Sequence, residues 1–299
     1  MSSAAKVGVF MLIILAILGY FVLKIEDIDL SRGKGTRTVK VLFDNVAGLD
    51  EKSAVRVAGV RKGKVSKIRL LDDGKAEVTL EIDNDVPLSR ACLLGCGVTT
   101  GWGSAVNTAN VVPGDVVLVM GCGGIGSGAI QGARLAGAEH IVVVDIEPSK
   151  RDKAFQFGAT HFATSMEEAT QLVGEITRGV MADSAILTPG VLEGAMINDA
   201  LNAVRKGGAV VVTALASMSD VTPTLPLTLF TLFQKRLLGS LYGEANPRAD
   251  IPRLISLYRS GKLLLDETVT TEYKLNDINE AYDDMLAGRN IRGVIIHEH

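Results

Sequence analysis

Residues 116–126, VVLVMGCGGIG, decide the fold of this chain. The first five of them form a short continuous apolar run, which is typical of a strand buried on both faces of a parallel sheet. Glycines then permit a tight turn, and the helical pattern that follows continues through Leu135. A second apolar run, Ile141–Val144, ends at Asp145, about 20 residues after Gly126. This order predicts a unit of an α/β, Rossmann-type doubly wound parallel sheet.

The glycine turn has the spacing of a dinucleotide-binding loop. Gly121 permits the tight turn, Gly123 lets the backbone approach a pyrophosphate, and Gly126 allows the helix to pack closely on the strand. The start of the helix, at Gly124–Ile125, offers amides and a positive dipole to the phosphates. The turn therefore predicts a site for a pyrophosphate-containing cofactor.

Asp145 ends the unit in a position from which a carboxylate can accept hydrogen bonds from the hydroxyls of an adenosine ribose. Its charge would repel a 2′-phosphate, so NAD is favoured over NADP as the cofactor. A strand, glycine turn, helix, strand and terminal acid in one unit favour this interpretation over a glycine-rich turn with a structural role alone. Apolar runs at Ser184–Leu187, Gly208–Leu215 and Leu237–Tyr242 predict that further αβ units follow.

Four stretches after residue 90 carry a family resemblance: ACLLGCGVTTGWGSAV, VVPGDVVLVMGCGGIGSGAIQGARLAGA, VVVDIEPSKRDKAFQFGATH and NIRGVI. They resemble the zinc-containing medium-chain alcohol dehydrogenases, in particular the NAD-dependent class that includes formaldehyde-type enzymes. The resemblance implies an oxidoreductase in which Lys150 helps to hold the adenosine ribose and Arg292 reaches the pyrophosphate. It also implies that two subunits join their sheets through Leu237–Gly243, which would give a dimer.

Cys96 matches one ligand of that family's catalytic zinc. Such a site needs three protein ligands and an open position, and the family's other two ligands come from an N-terminal catalytic domain that this sequence does not contain. We therefore expect Cys96 to be a core residue, zinc not to be bound, and no residue to be assigned as catalytic. The predicted function is an NAD(H)-binding remnant of an alcohol dehydrogenase without alcohol oxidation activity.

An uncharged run, Val7–Leu23, lies between Lys6 and Lys24. As a helix it would be about 26 Å long, which is at the short end of what spans a bilayer. A cleaved signal peptide would need a small-residue cleavage site after the run, whereas Lys24–Asp27 follows here. The run lacks the polar face of an ordinary surface helix. It predicts a transmembrane helix that is an uncleaved anchor.

In residues 36–88 apolar and polar residues alternate with a period of two. Short alternating runs at Val55–Val60, Lys64–Leu71 and Ala76–Ile82 are separated by glycines and by the Asp72–Gly74 turn. Such runs predict a small antiparallel sandwich or barrel. Nothing in this segment is predicted to be catalytic.

The blocks NVAGL (45–49) and VAGV (57–60) resemble the mammalian cell entry (MCE) family of MlaD-like proteins. The resemblance implies a barrel on the outer side of a bacterial inner membrane, in ring-shaped homo-oligomers that pass phospholipid through a central pore. The family's further strands and helical tail do not follow here, so we predict a small, incomplete all-β barrel domain. A membrane-anchored, non-enzymatic subunit of a phospholipid transport system is the alternative function. The predicted location is the bacterial inner membrane, single-pass, with the side of the C-terminal part left open.

The two resemblances meet within residues 83–91, so we interpret the chain as a chimera. Natural recombination, deliberate fusion or an assembly error would each produce it. The tail should lack its usual sheet partners at Thr268–Tyr273 and Val294–His297. The predicted domains are a membrane anchor and linker (1–35), a partial MCE β-domain (36–90), a Rossmann NAD-binding domain (91–265) and the tail of a dehydrogenase catalytic domain (266–299).

Composition narrows the classes of partner. A hydrophobic fraction of 47% and a charged fraction of 22% exclude a disordered chain, and a net charge of −3 gives no support for nucleic-acid binding. The three cysteines do not make a disulfide framework. The expected partners are NAD(H), a membrane through residues 7–23, and further copies of the chain in a dimer or an MCE-type ring.

Overall fold

The computed structural model describes residues 36–57, 60–83, 86–219 and 227–297, together with residues 11, 223 and 225. The chain divides into two compact units. The first comprises residues 1–57 and 61–85, and the second comprises residues 58–60 and 86–299. The finer predicted domain boundaries, at residues 35, 90 and 265, stay predictions.

The first unit contains a sheet of four strands in the order β1-β4-β3-β2, in which β4 pairs antiparallel with both β1 and β3. Alternation of apolar and polar residues places Val65, Ala76 and Val78 in its interior. Two of the predicted strands correspond to β3 and β4, and part of the predicted Val55–Val60 strand corresponds to β2, with Ala58 and Gly59 outside the described residues. In the described residues β1 and β2 lie at the two edges of the sheet. The strands are β1 (Thr36–Phe43), β2 (Ala54–Val57), β3 (Val60–Leu70) and β4 (Ala76–Asp83).

The structure corrects the predicted fold class in one respect, the transmembrane helix. Within the described ranges, no helix has both the length and the apolar character needed to cross a membrane. The longest of these helices have 13 residues, whereas about 20 are needed. The membrane-spanning part of the fold and the single-pass inner-membrane location that depended on it are therefore wrong. The segment from which they were predicted, Val7–Leu23, lies outside the described residues except for Met11.

The second unit contains the predicted Rossmann-type sheet. Six parallel strands are ordered β10-β9-β8-β5-β6-β7. The strand order reverses between β5 and β8, so the carboxyl end of β5 lies at the point where such sheets bind ligands. The strands are β5 (Val116–Met120), β6 (His140–Val144), β7 (His161–Ala163), β8 (Ala182–Leu187), β9 (Val204–Val212) and β10 (Arg236–Gly239).

Helices cover the two faces of this sheet. The α-helices of the unit are α1 (Leu88–Ala91), α2 (Gly97–Gly103), α3 (Gly124–Ala136), α4 (Arg151–Phe157), α5 (Met166–Ile176), α6 (Gly194–Ala203), α7 (Leu227–Leu232), α8 (Pro247–Arg259) and α9 (Ile278–Leu286). On one face, Leu118 and Val142 pack with residues of α5 and α6. On the other face, Val119 and Ile186 pack with residues of α3 and α4.

Glycines bring α2 and α3 into backbone contact. A Cβ added at Gly101 would overlap the carbonyl oxygen of Ile125 and would lie 2.6 Å from the nitrogen of Ala129. A Cβ at Gly128 would lie 2.6 Å from the oxygen of Val98. Because side chains cannot fit between the two backbones, this contact depends on glycine. It places the start of α2 beside the start of α3.

The tail strands β11 (Val269–Lys274) and β12 (Arg292–Ile296) pair with each other in parallel. The connection through α9 brings them side by side, and the expectation that they lack their usual sheet partners stays a prediction. Tyr273 and Val294 are buried. Arg90 holds this pair to the rest of the unit, since its guanidinium lies 2.6 Å from Glu272 Oε1 and 2.9 Å from Asp266 Oδ1.

β10 lies at one edge of the six-stranded sheet. It overlaps the predicted strand for subunit contact, Leu237–Gly243, in its last three residues. Pairing of this edge with a second copy of the chain stays a prediction, as does an MCE-type ring.

Candidate nucleotide-binding site

The glycine turn follows β5 at the carboxyl edge of the sheet. Gly121 has a φ of +96°, a left-handed conformation that glycine adopts without a steric penalty. A Cβ at Gly126 would overlap the carbonyl oxygen of Gly121, so α3 can approach β5 this closely only through glycine. Around the Cβ position of Gly123 there is open space, which leaves room above the turn for a ligand.

The start of α3 faces that space. Among the described residues, no side chain caps this helix, and its first backbone bond runs from Ser127 N to Gly123 O. The amides of Gly124, Ile125 and Gly126 therefore have no helical carbonyl to bond. Amides in this position, with the positive end of the helix dipole, bind phosphate.

Arg292 reaches the start of α3 from β12. A Cβ at Gly124 would lie 2.6 Å from its Nε, and a Cβ at Gly97 would overlap its guanidinium. The guanidinium therefore lies over Gly97 and Gly124, beside the unbonded amides. This proximity is not apparent from the sequence, because Arg292 and Gly124 are far apart along the chain. The contact of Arg292 with a pyrophosphate stays a prediction.

Asp145 follows β6 and is only 7% exposed. Its Oδ2 accepts hydrogen bonds from Cys122 N (2.7 Å) and Lys150 Nζ (3.2 Å), and its Oδ1 accepts one from Glu147 N (3.0 Å). Three donors occupy three of the four lone-pair positions of the carboxylate. The carboxylate thus links the glycine turn to Lys150, and Oδ1 retains capacity to accept a ribose hydroxyl.

The structure thus brings together all of the predicted cofactor-binding residues at the carboxyl ends of β5 and β6. The glycine spacing, the terminal acid and the helix start agree with a dinucleotide site. Residues 124–260 match the family model of zinc-binding dehydrogenases. Residues 35–120 match the model of the MlaD protein, and the two matches together support a fused architecture.

Curated relatives of the second unit are alcohol dehydrogenases. Alcohol dehydrogenase B of Mycobacterium tuberculosis (strain ATCC 25618 / H37Rv) is 50% identical over 216 residues, which cover 72% of this chain and 58% of the relative. The NDMA-dependent alcohol dehydrogenase of Amycolatopsis methanolica is 47% identical over 218 residues, covering 73% of this chain and 59% of the relative. The chain thus spans less than two thirds of the length of these relatives.

A solved structure shows the same architecture. Benzyl alcohol dehydrogenase from Acinetobacter calcoaceticus superimposes with a TM-score of 0.66 at 29% identity, covering 74% of this chain and 61% of that chain. An alcohol dehydrogenase zinc-binding domain protein from Burkholderia ambifaria gives a TM-score of 0.68 at 28% identity, covering 76% and 61%.

Cys96 does not lie in a set of metal ligands. In the described ranges, no group of three or more His, Cys, Asp or Glu side chains is arranged to hold a metal ion. A catalytic zinc needs three protein ligands, so the residues present do not fit one. The expectation that Cys96 packs in the core is wrong: its side chain is exposed at the start of α2, where the backbone turns into the helix.

Cys122, by contrast, is buried within the glycine turn. Burial, followed by the charge of Asp145, raises the pKa of its thiol to about 12. A thiol this far from ionisation is a poor nucleophile. Cys122 therefore contributes to the site through its backbone amide, which bonds Asp145, and not through its sulfur.

Two features of the site were not predicted from the sequence. Thr188, which follows β8, bonds the carbonyl oxygens of Met120 and Gly121. Gly97 and Gly101 let α2 approach the turn. A signal existed for Thr188, because it comes directly after a buried strand that neighbours β5. For the two glycines the signal was their four-residue spacing, which places them on one face of a helix.

Proposed function

We propose that the second unit binds NAD(H) at the glycine turn. The proposal is carried by the convergence of four features: unbonded amides at the start of α3, the Arg292 guanidinium, the Asp145 carboxylate and Lys150. Together they offer positive charge and donors to a pyrophosphate and an acceptor to an adenosine ribose. Asp145 favours NAD over NADP, because a 2′-phosphate would meet a buried carboxylate.

We further propose that the chain by itself binds the cofactor without oxidising alcohols. The relatives named above are alcohol dehydrogenases, and the matched family is a zinc-binding one. In this chain the family's zinc position retains Cys96 alone, and the β1–β4 sheet lies within the residues that match the MlaD protein. Without an electrophile at the alcohol oxygen, hydride transfer to the nicotinamide lacks its activating group.

Titration of the full-length chain with NADH, followed by NADH fluorescence, tests the proposal. We expect saturable binding that Asp145→Ala weakens by about 1–3 kcal/mol, because hydrogen bonds to a charged group are lost. Asp199→Ala is the matched control, since it removes an exposed carboxylate on α6 and should leave the dissociation constant unchanged. We expect NADPH to bind more weakly than NADH.

The same samples, supplied with NAD⁺, an alcohol and zinc, provide the second readout. Absorbance of NADH should stay at the level of a protein-free blank. Absence of saturable NADH binding would remove the site, and zinc-dependent NADH production at an enzymatic rate would remove the claim of inactivity.

A second candidate function rests on the match of residues 35–120 to the MlaD protein. The β1–β4 sheet is the part of the described structure that this match covers before Val86. Under this candidate, a phospholipid ligand should co-purify with the full-length chain. Organic extraction followed by mass spectrometry distinguishes it, because extracted phospholipid at one or more equivalents per chain would favour lipid transport over the first proposal.

A further inference from the structure

We propose that Thr188 is a positioning residue for the pyrophosphate-binding turn. Its hydroxyl fixes the orientation of the peptide between Gly121 and Cys122, and so the direction in which the turn leads into α3. This inference rests on the proposed NAD(H) site and adds to it a residue that contributes no predicted contact to the cofactor.

Thr188 lies at the carboxyl edge of the sheet, one strand away from the turn. It follows β8, which pairs directly with β5, and is 7% exposed. Its Oγ1 lies 2.8 Å from Met120 O and 3.1 Å from Gly121 O. One hydroxyl proton is thus shared between the last carbonyl of β5 and the first carbonyl of the turn.

The Gly121–Cys122 peptide is held from both sides. Its carbonyl oxygen accepts the Thr188 hydroxyl, and its amide donates to Asp145 Oδ2 at 2.7 Å. Because a peptide group is planar, fixing its oxygen and its amide hydrogen fixes the orientation of the whole plane. The next residue, Gly123, therefore leaves in a set direction, and the unbonded amides of α3 face the open space.

The hydroxyl also fills the narrow space between the first and third glycines. A Cβ at Gly121 would lie 3.0 Å from Thr188 Oγ1, and a Cβ at Gly126 would lie 2.9 Å from the same atom. A valine at this position would keep the volume of threonine but would present a methyl group to two carbonyl oxygens. The oxygen of Gly121 would then lose this donor, whereas the oxygen of Met120 would keep its bond from Thr188 N at 2.8 Å.

The full-length chain provides the test. We compare the NADH dissociation constants of the wild type, Thr188→Val and Thr188→Ser. We expect Thr188→Val to raise the NADH dissociation constant about tenfold, because without the hydroxyl bond the turn can adopt other orientations. Thr188→Ser keeps the hydroxyl and should remain within about twofold of the wild type, the spread expected when a hydrogen bond is retained.

Thr177→Val is the matched control. Thr177 Oγ1 donates to Val173 O at 2.6 Å at the end of α5 and accepts from Met181 N at 2.9 Å, so the variant also removes both contacts of one threonine hydroxyl. Thr177 lies near the amino end of β8, whereas Thr188 lies beyond its carboxyl end. The control should leave the NADH dissociation constant unchanged.

A nucleotide-free readout separates this inference from the proposed function. Amide hydrogen exchange at Cys122 should be faster in Thr188→Val than in the wild type and in Thr188→Ser. Two results would overturn the positioning role. One is an NADH dissociation constant of Thr188→Val equal to that of the wild type, and the other is a loss of affinity in Thr188→Ser as large as in Thr188→Val. A wild type that does not bind NADH would sink the proposed function, and unchanged Cys122 exchange would then sink the positioning role as well. If Thr188→Val does not fold, Thr188→Ala compared with Thr188→Ser carries the same two measurements.

Discussion

Replacing Gly101 by alanine is expected to destabilise the second unit by about 3 kcal/mol, the upper part of the range for overpacking a closed interior. The added methyl group would overlap the carbonyl oxygen of Ile125 and lie 2.6 Å from the nitrogen of Ala129. Both are backbone atoms within α3, so neither can rotate away. The sign of the effect is diagnostic, because alanine in a helix interior is otherwise more favourable than glycine by about 1 kcal/mol.

Urea denaturation followed by tryptophan fluorescence measures this effect directly. Trp102 is the chain's single tryptophan. It lies in α2 and is 3% exposed, so its emission reports on the contact in question. Gly95→Ala is the matched control, since a Cβ there meets open space and should change stability by no more than about 0.5 kcal/mol. An unchanged midpoint for Gly101→Ala would show that α2 and α3 can separate without loss of stability.

This glycine contact shows what the sequence could not predict. The strand, turn, helix and terminal acid between Val116 and Asp145 are predictable because they depend on local pattern: an apolar run, a glycine spacing and a helical period. The approach of α2 to α3 joins segments that are separated along the chain. The spacing of Gly97 and Gly101 is compatible with many partners, and tertiary packing alone selects one.

The pairing of the tail strands is a second feature that local sequence pattern could not predict. β11 and β12 were expected to lack their usual sheet partners, and the structure pairs them with each other. Their pairing with each other could not be predicted from pattern, since it depends on the reach of α9 and on the ion pairs of Arg90 with Asp266 and Glu272. Arg292, the first residue of β12, lies over Gly124 in this arrangement.

The exposure of Cys96 has a different cause. An apolar neighbourhood in the sequence suggested a core position, yet the residue lies at the start of α2, where the chain turns. Leu93 and Leu94 fill the interior on one side of it, and Val98 and Trp102 do so on the other. Local apolar content therefore identifies a buried segment, whereas helix phase decides which of its residues face solvent.

Replacing Gly123 by valine is expected to weaken NADH binding strongly while leaving the fold intact. Gly123 has a φ of −96° and a ψ of −160°, an extended conformation outside the left-handed region, and its Cβ would project into open space. Loss of glycine from the N-cap position of α3 should lower the free energy of unfolding by no more than about 1 kcal/mol. The side chain would occupy the space where the proposed pyrophosphate approaches the backbone, and we expect a loss of affinity of about 100-fold, or about 2.7 kcal/mol.

Gly126→Ala in the same turn provides the contrast. Its methyl group would overlap the carbonyl oxygen of Gly121, so it should lower both the stability of the unit and the affinity for NADH. Thermal unfolding and NADH titration of both variants give four values, and the proposal requires that binding and stability separate at Gly123 and fall together at Gly126. Near wild-type NADH affinity in a folded Gly123→Val protein would mean that the cofactor does not lie over this turn. The open space above Gly123 would then have to be explained without a pyrophosphate.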